Sequence, residues 1–509
     1  MNFYALSYYK NELKKEKLLI EEKKYCNNKL YEEKKDTIIE YITYDSKKVK
    51  KNTLFICKGA AFKKEYLLSA KEKGAACYVS EKDYNVDLPC LLVKDIRKAM
   101  PYLASEFFNY PQKEITITGI TGTKGKSTTA CYIKAILDLY LKEKENKDTA
   151  LISSINTYDG KADFESHITT PESVELIEHI RNAVDKGLPY LTMEASSQAL
   201  KYDRVDLVEF TVGLFLNISE DHISPIEHPT FEDYFYSKLK IFERTKNAVI
   251  NHDADYFDEI KEAAQKSDKV ENIVVFGTDK SCDLYCHDIK KIDGAIEFYV
   301  KTKDFDEKFD ITMPGLFNVE NALAAIATSL IYKIPLDYIK RGLHIARSKG
   351  RMELFSTKDK KLFVLVDYAH NKLSFEKLFG SVKEEYKDRE IISIFGCPGK
   401  KAYKRRTELG EIASIYSKKI YIVAEDPGEE KYADIASEME KHITCDYEKI
   451  EDRKEAIRKA IFSIRNKTII LVTGKGDETR QKYGRKYLPY PSDSSIVKEA
   501  IKEYDELYC

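Results

Sequence analysis

An α/β chain of three domains is predicted: a small N-terminal α/β domain over 1–110, a central P-loop-like parallel sheet over 111–346, and a Rossmann-like C-terminal domain over 347–509. Three observations carry that prediction. At 509 residues the chain exceeds what one hydrophobic core normally organises. Short apolar runs alternate with helical patterns, which favours mostly parallel sheets with helices on both faces. A glycine-rich segment, Gly119 to Thr128, lies between an apolar β-like run and the start of a helical pattern.

Residues 1–36, rich in lysine and glutamate, read as exposed helix. From Thr37 to Phe108 the runs Thr53–Cys57, Ala75–Val79 and Cys90–Val93 alternate with helices, the last from Ile96; Pro111 and Gln112-Lys113 mark a boundary. Ile115–Ile120 then leads into the glycine segment, followed by strand-like Ala150–Ile152, Tyr190–Met193 and Val212–Leu216. Beyond Ser348 come Leu362–Val366, Ile391–Phe395, Ile420–Ala424 and Ile469–Val472. Each ends in a polar or glycine-rich stretch, respectively Asp367–His370, Gly396–Gly399, Glu425–Gly428 and Gly474–Glu478. In open parallel sheets ligands bind beyond the carboxyl ends of strands, so four such endings in one domain read as a site.

Bulk composition excludes several classes. A net charge of −1, with charges interspersed, implies no attraction to nucleic acid or anionic lipid. The ten cysteines form no C-x-x-C pair, so neither a zinc site nor a disulfide framework is expected. No apolar run approaches the ~18 residues of a membrane span. The N-terminus lacks the apolar region of a signal peptide, so no membrane insertion and a cytoplasmic location are expected.

The glycine segment reads G-x-x-G-x-x-G-K-S, with Gly119, Gly122 and Gly125, and Ile120 stands where the usual first glycine would be. Such a turn presents backbone N–H groups and a helix N-terminus to phosphate. Lys126 can then reach the outer phosphates and the Ser127 hydroxyl can sit on Mg²⁺. ATP binding follows. Glu194 ends the run Tyr190–Met193, and Asn217–His222 follows Val212–Leu216. Acids and a histidine after two strands suit a hard cation held by oxygen ligands as well as they suit caps and surface positions. Phe231, Phe235, Lys238 and Phe242 form an apolar helical stripe containing a lysine. Burial would favour a neutral amine able to take up CO₂ as a carbamate. The pattern alone favours a lysine that snorkels out of the stripe.

With these residues in hand, the chain resembles the Mur ligases, ATP-dependent amide-forming enzymes of bacterial cell-wall synthesis. The resemblance runs through Thr118–Thr128, Thr169–Glu172, Glu194–Ser197, Asn217–His222, Tyr234–Phe242, Gly315–Asn321, Gly350–Glu353, Asp367–His370 and Gly474–Gly476. It is nearest the members that add the third residue of the stem peptide. It implies ATP contacts from Gly122, Thr123, Lys124, Gly125, Lys126, Ser127 and Thr128, and from Asn318, Arg351 and Asp367 across a domain junction whose closure would complete the site. Magnesium would be held by Ser127, Glu194, His222 and a carbamylated Lys238, and catalysis would rest on Lys126, Lys238, Glu194 and His222. Thr169, Thr170, Ser196 and Arg204 match positions that hold the muramyl peptide, and Asp45-Ser46 with Leu54-Phe55 resembles the uridine region of a UDP-binding domain. The implied partners are UDP-N-acetylmuramoyl-L-alanyl-D-glutamate and a free amino acid, with the enzyme acting as a monomer.

Departures from the family pattern bear on that amino acid. Lys124 replaces the usual asparagine and adds a positive charge beside the phosphates. Enzymes that select meso-diaminopimelate carry an Asn-Pro-Arg motif whose arginine clamps the distal carboxylate; here the stretch is Glu425-Asp426-Pro427-Gly428, and Lys401 stands for another arginine. Glu425, Asp426 and Glu478, near Gly474, would suit the distal ammonium of L-lysine or ornithine, or else cap turns. The segment Asp221–Pro229 is longer than usual. A folylpolyglutamate-type ligase on another carboxylate and an ATP-binding scaffold without turnover remain alternative readings.

Overall fold

The computed structural model describes residues 3–23, 36–59, 61–220, 223, 227–292, 294–348 and 350–509. The chain divides into two compact units, one of residues 1–285 with 324–335, the other of 286–323 with 336–509.

The first unit holds two sheets. The smaller has the order Leu19–Lys23, Cys90–Val93, Ala75–Ser80, Thr53–Ile56, Tyr41–Thr43, parallel except for its first strand. The expectation of exposed helix over 1–36 is corrected here. Over 3–23 the helix Leu6–Lys15 buries Leu6, Tyr9 and Leu13, and Leu19–Lys23 is a strand, while 24–35 lie outside the described residues. The apolar i, i+3, i+7 stripe was hidden in a lysine-rich composition. The larger sheet runs, within this unit, Asn272–Gly277, Thr245–Asn251, Phe210–Phe215, Thr116–Thr121, Tyr190–Glu194, Ala150–Ile152, then Asn156–Tyr158 and Asp163–Glu165. All are parallel except the last two.

Register at the centre of this sheet positions the site. Glu194 pairs with Ile120 and Phe215 with Thr121, so three central strands end level with one another. Close approach requires glycine at two paired positions there, Gly119 and Gly213. A Cβ on the first would run into the Phe210 ring, and one on the second into Thr245.

The second unit carries the antiparallel pair Ala295–Lys301 and Asp306–Ile311, and a six-stranded sheet. That sheet has the order Glu353–Ser356, Leu362–Asp367, Thr468–Thr473, Glu390–Phe395, Lys419–Ile422, Asp446–Lys449, and only the first pair is antiparallel. Alternate residues enter two cores. Leu365, Ile391, Ile420 and Leu471 pack with Phe375, Leu409 and Ala436, while Val364, Ile392, Tyr421 and Ile470 pack with Ile457, Ile461 and Val497. Burial on both faces explains the continuous apolar runs of these strands. Their parallel pairing brings all four polar endings to one edge.

Candidate active site

The glycine segment turns from strand to helix between Thr121 and Lys126. Gly125, at φ +87°, caps the 20-residue helix Lys126–Glu145 and brings no side chain to its N-terminal amides. Gly122, at φ +151°, leaves its own Cβ position 3.0 Å from Leu216 Cβ and 3.4 Å from the Asn217 backbone. A bare helix N-terminus with φ values that favour glycine fits a phosphate cradle. Lys126 Nζ donates to the carbonyls of Gly122 (2.8 Å) and Thr123 (3.2 Å). Asn217 splints the loop: Oδ1 accepts from Thr123 N (3.1 Å) and Lys124 N (2.9 Å), and Nδ2 donates to Lys124 O (3.1 Å). The sequence pattern places Asn217 only in a cation motif. Ser127 and Thr128 lie half-buried in the first helical turn.

Glu194 is buried, and its Oε1 accepts from Ser154 N (2.8 Å) and Ser154 Oγ (3.3 Å). Ser154 Oγ also lies 2.9 Å from Ser127 Oγ. Two residues expected to hold magnesium are therefore joined through a third that the sequence did not single out, just past Ala150–Ile152. Their hard oxygen donors fit Mg²⁺. Among the described residues no group of three or more His, Cys, Asp or Glu could hold a metal; His222 lies outside them.

Lys238 corrects the pattern-based expectation of snorkelling. It is 1% exposed, and its Nζ donates to the Gly122 carbonyl at 2.8 Å while standing 4.6 Å over the Tyr234 ring. The helix Phe231–Leu239 packs on the phosphate loop, so the amine meets a carbonyl instead of water. Lys126 and Lys238 thus converge on one carbonyl oxygen.

Thr170 Oγ1 donates to Glu194 O at 2.8 Å and accepts from Ser196 N at 3.0 Å. Ser196 caps the helix Ser197–Lys201. Arg204 reaches Thr170 O (3.3 Å) and pairs with Glu172 (2.9 Å), which also pairs with Lys58 (2.5 Å). Thr169 stands half-buried beside this group. A cavity of about 180 Å³ is lined by Lys58, Arg97, Met100, Glu172, Tyr202 and Arg204. Ser46 follows the strand Tyr41–Thr43, and its neighbours Tyr44 and Lys48 bond Glu175 on the helix Ser173–Asp185.

In the second unit Asp367 accepts from Met352 N (2.8 Å) and Ala369 N (2.7 Å), which seats Arg351 beside it with its guanidinium 4.4 Å over the Tyr368 ring. Asn318 is buried and bonds Pro314 O (2.6 Å) and Asn321 (2.9 Å). Glu425 is buried under Gly474, at φ +102°, whose Cβ would overlap its carboxylate. Burial pushes the Glu425 carboxyl up to about 7 against the opposing pull of Arg453, Lys475 and Arg405. Asp426 and Glu478 already hold an ammonium, that of Lys475, at 3.0 and 2.6 Å. Burial would lower the Lys475 pKa, but those two acids outweigh it and the net shift is upward. Tyr368 donates to Glu478 at 3.1 Å, which ties the Asp367 loop to the Gly474 loop. Like Ser154, Lys475 is not singled out by the sequence pattern, although it lies within the stretch Gly474–Gly476. Asp426 also accepts from Lys482 N (2.9 Å), which ties its loop to the strand Arg480–Tyr483. Lys401 is exposed.

The Mur ligase middle domain matches residues 120–329, and the Mur ligase glutamate ligase domain matches 350–476. A UDP-N-acetylmuramyl-tripeptide synthetase of Lactobacillus acidophilus is 36% identical over 498 residues, covering 92% of this chain and 93% of its own. A UDP-N-acetylmuramoyl-L-alanyl-D-glutamate--L-lysine ligase of Streptococcus pneumoniae is 39% identical over 470 residues, covering 91% and 93%. The crystal structure of MurF from Acinetobacter baumannii shares the fold, with a TM-score of 0.64, 18% identity and 99% of both chains covered.

Proposed function

This chain belongs to the Mur ligase family, and from that premise we propose that it joins a basic diamino acid, L-lysine foremost, to UDP-N-acetylmuramoyl-L-alanyl-D-glutamate. It is an ATP-dependent, peptide-forming ligase of peptidoglycan synthesis. The observation that carries the reading is the meeting of Lys126 and Lys238 at Gly122, beside the Ser127–Ser154–Glu194 chain at the ends of the central strands.

A peptide carboxylate is a poor electrophile. Transfer of the γ-phosphoryl group turns it into an acyl phosphate, the amine of the incoming amino acid attacks, and phosphate leaves. The protein's work is positioning and charge neutralisation between two anions. The amides after Gly125 and the Lys126 ammonium receive the phosphates. Ser127 and Glu194, with His222 and a carbamylated Lys238, would hold Mg²⁺, whose charge offsets the repulsion between phosphate and carboxylate. Thr169, Thr170, Ser196 and Arg204 orient the peptide, with Ser46 in the uridine region, and Asn318, Arg351 and Asp367 serve the nucleotide. The division 1–110, 111–346 and 347–509 assigns UDP-muramyl, ATP and amino-acid binding in that order. The enzyme acts as a cytoplasmic monomer. Among the described residues no helix is long and apolar enough to cross a membrane.

The choice of amino acid is supported by Gly428 in place of a carboxylate-clamping arginine and by the acids Asp426 and Glu478, which gather an ammonium, that of Lys475, with Glu425 beside Gly474. Pure protein with ATP, the UDP-dipeptide and single amino acids should release phosphate and yield the tripeptide mass with L-lysine, and less product with meso-diaminopimelate. No phosphate release with any amino acid would refute the reading.

A further inference from the structure

His228 has no exposed surface, and both its ring nitrogens are engaged. Nδ1 lies 2.6 Å from Asp233 Oδ2, and Nε2 lies 2.9 Å from Ser197 Oγ. An ionised carboxylate only accepts, so Nδ1 carries the proton, and Nε2 of the neutral ring accepts from the serine hydroxyl. Burial lowers the His228 pKa despite the neighbouring Asp233, in keeping with a neutral ring. Asp233 is itself fixed by Lys201 Nζ at 2.6 Å.

The order serine, histidine, aspartate is the one that activates a nucleophile in hydrolases. Here the serine is buried, and the surroundings point to a different use. Ser197 directly follows Ser196 and stands three residues beyond Glu194. Asp233 lies in the first turn of the helix that carries Lys238. Tyr234 packs edge-on against His228 at 5.2 Å, its hydroxyl lies 3.2 Å from Thr123 Oγ1, and its ring underlies Lys238 Nζ. One cluster, buried except at the half-buried Asp233, therefore touches the Glu194–Ser197 segment, the Lys238 helix and the glycine turn.

We propose that Asp233, His228 and Ser197 form a positioning relay that fixes the Glu194–Ser196 segment against the Lys238 helix, so that the peptide carboxylate and the phosphate loop meet in a single geometry. The proposal rests on the ligase reading above. None of the three residues touches reacting atoms; each acts through Glu194, Ser196 or Lys238. Misplacement by about 1 Å is enough to lower a rate ~10²-fold, so a hydroxyl lost at this hinge should register in turnover.

The test compares the full-length protein with Ser197→Ala and Ser197→Thr. For Ser197→Ala, kcat should fall ~10-fold or more with KM for ATP within about twofold, and the thermal midpoint should drop only modestly, by the cost of one orphaned buried acceptor. Ser197→Thr, which keeps the hydroxyl, should recover most of kcat. Hydrogen exchange in Ser197→Ala should rise together in 190–201 and 231–239. Wild-type kcat with unchanged exchange in Ser197→Ala would overturn the relay, as would covalent capture of wild-type Ser197 by a fluorophosphonate. If the wild-type protein proves inactive, the ligase reading fails, and the exchange experiment still decides the relay.

Discussion

Lys238 Nζ donates to the Gly122 carbonyl across 2.8 Å, although 116 residues separate them in sequence. That bond places a buried amine against the phosphate loop and gives Lys238 a role that removal should expose. Lys238→Met keeps the apolar stem and its volume while deleting the amine. Turnover should fall by ~10²-fold or more in a folded protein, checked by phosphate release and circular dichroism. A variant as active as wild type would take Lys238 out of the chemistry.

Glu425 should make amino-acid capture depend on pH. Its carboxyl is raised from an ordinary 4.5 to about 7 by burial. A raised acid contributes stability that is complete below about 4.5 and is lost as pH rises through about 7. Glu425→Gln, always neutral, should therefore gain stability relative to wild type across that window, measured by urea midpoints. An ammonium is held by the ionised form, so KM for L-lysine should fall as pH rises through about 7 in wild type and stay flat in Glu425→Gln. Parallel profiles for the two proteins would show that Glu425 does not face the substrate.

Several of these relationships were legible in the chain itself, and the reasons for the others are physical. The four C-terminal strands were readable because burial on both faces leaves short uninterrupted apolar runs, as in Ile469–Val472. The turn from strand to helix between Thr121 and Lys126 was readable because glycine spacing between strand and helix is a local signal. Lys238 was not, since whether a lysine snorkels or turns inward depends on what packs over its helix, here a loop more than a hundred residues away. Ser154 and Asn217 were invisible as loop partners for the same reason. The acids Asp426 and Glu478 could be seen, but not that Lys475 folds back between them.

Arg453 and Asp493 form a bidentate pair in which each side chain is 1% exposed. Breaking one side leaves an uncompensated buried charge. Asp493→Asn should cost about 3–5 kcal/mol, and the double variant Arg453→Met with Asp493→Leu should be markedly more stable than that single variant. Chemical denaturation of the three proteins checks both. A single variant of wild-type stability would mean that the guanidinium finds another partner.

Gly125 caps the phosphate-loop helix at φ +87°. An alanine there adopts a left-handed backbone at about 1–2 kcal/mol, which the loop avoids by moving. Gly125→Ala should raise KM for ATP with a much smaller effect on KM for the UDP-dipeptide. Equal changes in both would point to general unfolding and not to a distorted cradle.

Gly119 and Gly213 sit side by side at the middle of the central sheet, one beneath the Phe210 ring and the other against Thr245. Neither is near enough to solvent to be traded for solubility, and neither can take even a methyl without prying neighbouring strands apart. In a saturation library selected for growth, these two codons should return glycine almost invariably unless Phe210 or Thr245 shrinks in the same clone. Such paired escapes would map, by genetics alone, how closely the backbone is drawn together beneath the loops that follow the central strands.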